Sequence, residues 1–186
     1  IDVFEETDPV RLSRAMSTCA LIDASRLTNN GNGTFTITLS SYTIGGDPAC
    51  MGEPFGSQPT AAFCSGFLVA EDLITTAGHC IINEADLATF RFVFGFDMID
   101  ASTPTMIVNA DQVATGVELI SHSGGGLNDH ALGRISSTVN APIAPIRRTG
   151  MVALNDPVGV IGHPSGLPKK IAFGAATEVL ANGSSG

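Results

Sequence analysis

The 186-residue chain is 44% hydrophobic and 15% charged, enough for one sizeable core and too little for several independent domains. Its 9 basic and 18 acidic residues leave a formal charge of −9 and a pI near 4.6, which repels phosphate backbones and anionic lipid surfaces and so excludes nucleic-acid and membrane-surface roles. No apolar run approaches the roughly 18 residues that cross a bilayer, and the N-terminal IDVFEETDPV lacks the layout of a signal peptide, so the chain is expected to be soluble and already processed.

The 21 glycines and 10 prolines, without blocks of like charge, point to an ordered, turn-rich, mostly β protein. Asp8-Pro9 opens a short helix over VRLSRAMS, with Asp8 as N-cap and Pro9 at the first helical position. Beyond it helical periodicity stops. Residues 19–23 and 34–43 read as strands joined into a hairpin by Asn29-Asn30-Gly31-Asn32-Gly33. Further strands are expected at 63–69, 73–77, 90–96, 106–108, 116–121 and 131–135, most alternating with period two. Short strands at such spacing suggest a closed antiparallel barrel or a sandwich. A Pro-rich connector, Asn140 to Pro145, leads to strands at 158–162, 170–173 and 177–181. The organisation expected is therefore 1–139 as N-terminal extension and first barrel, and 140–186 as connector and start of a second.

Four cysteines, Cys19, Cys50, Cys64 and Cys80, occur singly and not in the C-x-x-C pairs of zinc or redox sites. An even number without metal spacing favours two disulfides and an oxidising compartment, the alternative being four buried thiols in a cytosolic protein. The four histidines show no H-E-x-x-H pattern, and Asp97, Asp100 and Asp111 lack the regular oxygen-ligand spacing of a calcium loop. Asn32-Gly33-Thr34 and Asn182-Gly183-Ser184 fit glycosylation sequons, but Asn-Gly is better read as a tight turn.

The segment Phe63-Cys64-Ser65-Gly66-Phe67-Leu68-Val69, followed by Thr75-Thr76-Ala77-Gly78-His79-Cys80, resembles the block around the catalytic histidine of the chymotrypsin/trypsin-like serine proteases. Asp129-His130-Ala131-Leu132-Gly133-Arg134-Ile135 resembles that family's D-x-A-L-[IL]-[RK]-[LIV] strand, with Gly133 in place of the usual aliphatic residue. Val160-Ile161-Gly162-His163-Pro164 is similar to the V-G-[YH]-P segment of the bacterial glutamyl-endopeptidase-like branch, in which His163 reads as a strand-end structural residue.

The resemblance implies a trypsin-like double antiparallel β-barrel, the first barrel complete and the second begun. It implies His79 as general base and Asp129 as a buried carboxylate that orients it. It implies a Cys64–Cys80 disulfide clamping the histidine turn, which leaves Cys19 and Cys50 as the second pair. The implied activity is serine-type endopeptidase hydrolysis of a peptide or protein, in a secreted protein that needs no cofactor or metal. The nucleophile is not found: Ser185, in Gly183-Ser184-Ser185-Gly186, reads as a turn residue, and the serine is expected from a C-terminal continuation or a second chain. The rival reading is a non-catalytic protease homologue that uses the fold as a binding module.

Overall fold

A computed structural model describes residues 1–125, 128–136 and 138–179. The helix Pro9–Met16 begins as its sequence dictates: the Asp8 carboxylate accepts from the amides of Val10 (2.8 Å) and Arg11 (3.1 Å), satisfying two donors that have no partner within the helix. The strand that follows, Thr18–Asp23, is apolar almost throughout because both of its faces are covered. Cys19 and Leu21 enter one core with Leu68, Ile74, Leu87, Phe92 and Ile135. Ala20 and Ile22 enter a second core with Ile37, Val93, Phe96 and Val108. Each large side chain fully withdrawn from water in this way contributes about 1.5–3 kcal/mol.

The main sheet has seven antiparallel strands in the spatial order Val113–Ala114, Phe90–Phe94, Thr18–Asp23, Cys64–Ala70, Leu73–Thr76, His130–Ile135 and Gly116–Ser123. Its two edge strands are neighbours in sequence, separated by Thr115 alone, so the sheet must curl until its edges approach each other. The Ser136 amide donates to the Thr115 carbonyl (2.9 Å) at that corner. A helix absent from the sequence reading, Glu84–Thr89, lies against the curl, capped by Asn83 and Asp86 in a reciprocal capping box. Its buried Leu87 explains the unusual Gly133: a Cβ there would stand 3.2 Å from Leu87 Cδ2, so the leucine fills the volume an aliphatic residue would take.

The second core is covered by a three-stranded sheet, Leu27–Asn29, Thr34–Ile37 and Ile107–Asn109. The turn at residues 29–33 is present, but its two strands are Leu27–Asn29 and Thr34–Ile37. Residues 19–23 pair instead with Phe90–Phe94 and Cys64–Ala70, because a single 3-10 turn at Ala24–Arg26 ends that strand first. The expected strand over 34–43 likewise stops at Ile37.

After the connector, Pro157–Gly162 and Lys170–Glu178 form a separate two-stranded sheet. The expected strand 177–181 is partly contained in the second of these, and its last two residues lie outside the described ones. Buried polar contacts tie this hairpin to the rest. The Ser65 hydroxyl accepts from the His163 amide (2.8 Å), and Lys169 pairs with Asp97 at 3.2 Å. Lys170 pairs with Asp2 and donates to Gln58 Oε1 (2.6 Å). His163 is buried and stacked on Phe96, and burial pushes its pKa down to about 3, so the ring is neutral at ordinary pH.

Candidate active site

The Cys64–Ala70 and Leu73–Thr76 strands form a tight hairpin, pairing Gly66 with Thr76 and Leu68 with Ile74. Its open end is closed by the Cys64–Cys80 disulfide, whose Cα atoms are 6.2 Å apart. Between Thr76 and Cys80 the chain makes one 3-10 turn, Gly78–Cys80, with the Cys80 amide donating to the Ala77 carbonyl (3.1 Å). His79 sits in the middle of this turn, its side chain 70% exposed.

Register brings the carboxylate to it. Leu73–Thr76 also pairs with His130–Ile135, Thr76 opposite Ala131. Asp129 immediately precedes that second strand and His79 lies just past the first, so antiparallel pairing places them side by side although 50 positions separate them in sequence. Asp129 Oδ2 is 2.6 Å from His79 Nδ1, and Oδ1 accepts from the His79 amide at 2.9 Å. Since a carboxylate only accepts, Nδ1 carries the proton and Nε2 is the nitrogen left free as a base. The same bonds, the ring first and the amide second, hold the Asp129 carboxyl below its ordinary pKa. The carboxylate is not buried as expected: its side chain is 36% exposed, and it lines a cleft together with Gly124 and Gly125, which carry no side chains.

The pair opens onto a cleft of about 380 Å³ whose walls include Ile82, His122 and the two glycines. Sequence pattern gives His122 no role of its own, since the four histidines share no metal-binding spacing. Here its Nε2 donates to the Gly78 carbonyl at 3.1 Å, a contact between residues 44 apart that leaves no local sequence signal.

The second disulfide does not form. Cys19 and Cys50 are free thiols, the first buried and the second exposed. Cys19 occupies an inward position of the central strand, its sulfur over Gly66, and burial pushes its thiol pKa up to about 12. Cys50 belongs to the exposed loop around Met51 and Gly52.

Asp97 is spoken for by Lys169, and the Asp100 carboxylate closes its own turn by accepting from the amides of Ser102 (2.8 Å) and Thr103 (2.9 Å). Asp111 lies in the 3-10 turn Ala110–Gln112. Among the described residues only Cys64, His79 and Cys80 bring three potential metal donors within 4.8 Å of one another, and the two sulfurs are bonded together. Ser185 lies outside the described residues. No described serine hydroxyl is hydrogen-bonded to His79.

The profile of the trypsin-like peptidase domain matches residues 64–185, a span that contains both His79 and Asp129. No curated protein matches the chain.

Proposed function

Since the chain belongs to the trypsin-like peptidase domain family, we propose that it is the histidine- and aspartate-bearing part of a serine endopeptidase that cleaves peptide bonds by acyl transfer. The observation that carries this reading is the double grip of Asp129 on His79, at the ring and at the backbone amide.

That grip assigns roles. Asp129 holds the imidazole in the Nδ1-protonated tautomer and stabilises the imidazolium formed when Nε2 takes up a proton. Nε2 then accepts the proton of a serine hydroxyl as its oxygen attacks the scissile carbonyl, and returns it to the leaving amine as the acyl-enzyme forms. A water molecule, activated by the same nitrogen, releases the acyl group and regenerates the serine. The serine and the amides that receive the oxyanion are assigned to a loop outside the described residues, on a C-terminal continuation or a second chain, and the 186-residue chain alone is assigned no activity. The Cys64–Cys80 disulfide supports secretion into an oxidising compartment. Residues 160–164 are the sole support for a glutamyl-endopeptidase-like preference for acidic residues.

A serine-directed phosphonate tests the reading on the protein translated from the complete coding sequence. Covalent labelling that disappears in His79→Ala supports it. Absence of any adduct, with retained binding of a protein ligand, would establish the non-catalytic binding module instead.

A further inference from the structure

The Gly78–His79 peptide unit is held from both of its sides. Its N–H, which belongs to His79, donates to Asp129 Oδ1 at 2.9 Å, while its C=O, which belongs to Gly78, accepts from His122 Nε2 at 3.1 Å. The two gripping side chains come from opposite ends of one loop. His122 is near the end of the Gly116–Ser123 strand, Asp129 precedes the His130–Ile135 strand, and the strands are paired with His122 opposite Ala131. The ladder that fixes one gripping residue therefore fixes the other.

Close packing enforces the approach. A Cβ on Gly78 would stand 2.1 Å from the Ser123 carbonyl oxygen and 3.0 Å from that of His130, so only glycine allows the loop ends to lie against the turn. Gly124 passes so near the His122 ring that a Cβ there would meet Nε2 at 3.2 Å and Cε1 at 3.3 Å. The ring is pinned between its own loop and the turn.

We propose that His122 is a positioning residue for the general base: it fixes the plane of the peptide that leads into His79, and through it the direction from which the imidazole meets Asp129 and the nucleophile. The proposal rests on the reading of His79 as the base. Asp129 holds His79 at the ring nitrogen and at the amide edge of this peptide, both from one side, so the turn can still rock about those two bonds. A second anchor on the opposite edge of the same peptide removes this freedom, and displacements of about 1 Å at a catalytic group cost on the order of a hundredfold in rate.

The test uses NMR on the 186-residue chain, so it does not depend on a nucleophile, and a failure of the protease reading would appear separately in phosphonate labelling. In the unmutated protein at about pH 8, nitrogen shifts of His122 are expected to report the Nε2–H tautomer, because a carbonyl can only accept. The Nδ1–H tautomer would overturn the proposal without any mutation. His122→Phe keeps ring bulk and loses the donor, and is expected to speed exchange of the His79 amide about five- to tenfold, the loss of one hydrogen bond, and to broaden the Nδ1 proton signal of His79. His122→Gln, which keeps a donor, is expected to restore both. A Phe variant with unchanged His79 signals, or Phe and Gln variants altered alike, would overturn it.

Discussion

Leu87 lies directly on Gly116: a Cβ at residue 116 would stand 2.5 Å from Leu87 Cδ2 and 3.1 Å from its Cβ. This contact packs the short helix against the edge of the curled sheet. Gly116→Ala is expected to destabilise the fold by about 1–3 kcal/mol through overpacking, and Leu87→Ala by about 2–5 kcal/mol through the cavity it leaves. Urea denaturation of the double mutant should show less loss than the sum, because the smaller residue 87 makes room for the new methyl. Strict additivity would mean that the two residues do not share this space.

The cysteines should divide by environment. Mapping without reduction is expected to recover the Cys64–Cys80 peptide pair and two thiols. A thiol reagent should label exposed Cys50 in the native protein, and Cys19 only after unfolding, since that thiol is buried and its pKa pushed up to about 12. Replacing Cys64 and Cys80 by serine should cost on the order of 3 kcal/mol by the entropy of the closed loop. Recovery of a Cys19–Cys50 peptide would contradict the packing of the central strand.

These elements differ in how much of them could be read in advance. The histidine block was legible because its hairpin, turn and disulfide lie within one short stretch, and Asp129 because it immediately precedes a strand of recognisable pattern. Helix Glu84–Thr89 was missed because six residues with one buried side chain show no periodicity, although Asn83 and Asp86 spell a capping box. The Cys19–Cys50 pairing failed because assignment by elimination presumes that every cysteine pairs, whereas residue 19 alternates inward and behaves as a small apolar side chain. The contact of His122 with Gly78 depends on loop ends meeting a turn from another hairpin, and only the three-dimensional register contains it.

The Asp129 carboxyl is held below its ordinary pKa by His79, so its ionised form is the one the fold favours. The sign follows from linkage: this contribution is fully present above the ordinary carboxylate pKa and is lost as pH falls through the depressed one. Asp129→Asn should therefore be less stable than the parent at neutral pH, with the difference closing as pH falls below the ordinary carboxylate pKa. Urea midpoints measured through that fall in pH check it. A difference that stayed constant with pH would show that the carboxylate's charge contributes nothing there.

The 186-residue chain alone is expected to take no adduct from a serine-directed phosphonate, and Ser185 is expected not to be the nucleophile. A triad serine must meet the Nε2 side of His79 from a loop that also presents amides to the developing oxyanion, which requires that loop to be held by packed strands on both sides. After the connector the described chain provides one hairpin, Pro157–Gly162 with Lys170–Glu178, and residue 185 follows it by seven positions, in the run Asn182-Gly183-Ser184-Ser185-Gly186 that suits a turn. A triad without its serine retains at most about 10³–10⁴ over water, and that residue of activity comes from the oxyanion site and substrate binding. Intact mass after phosphonate treatment should be unchanged for this chain, whereas the complete translated protein should gain one adduct, and in its Asp129→Asn variant kcat should fall about 10⁴-fold through the wrong histidine tautomer. An adduct mapped to Ser185 in the short chain would place the nucleophile inside these residues and overturn the assignment of an outside serine.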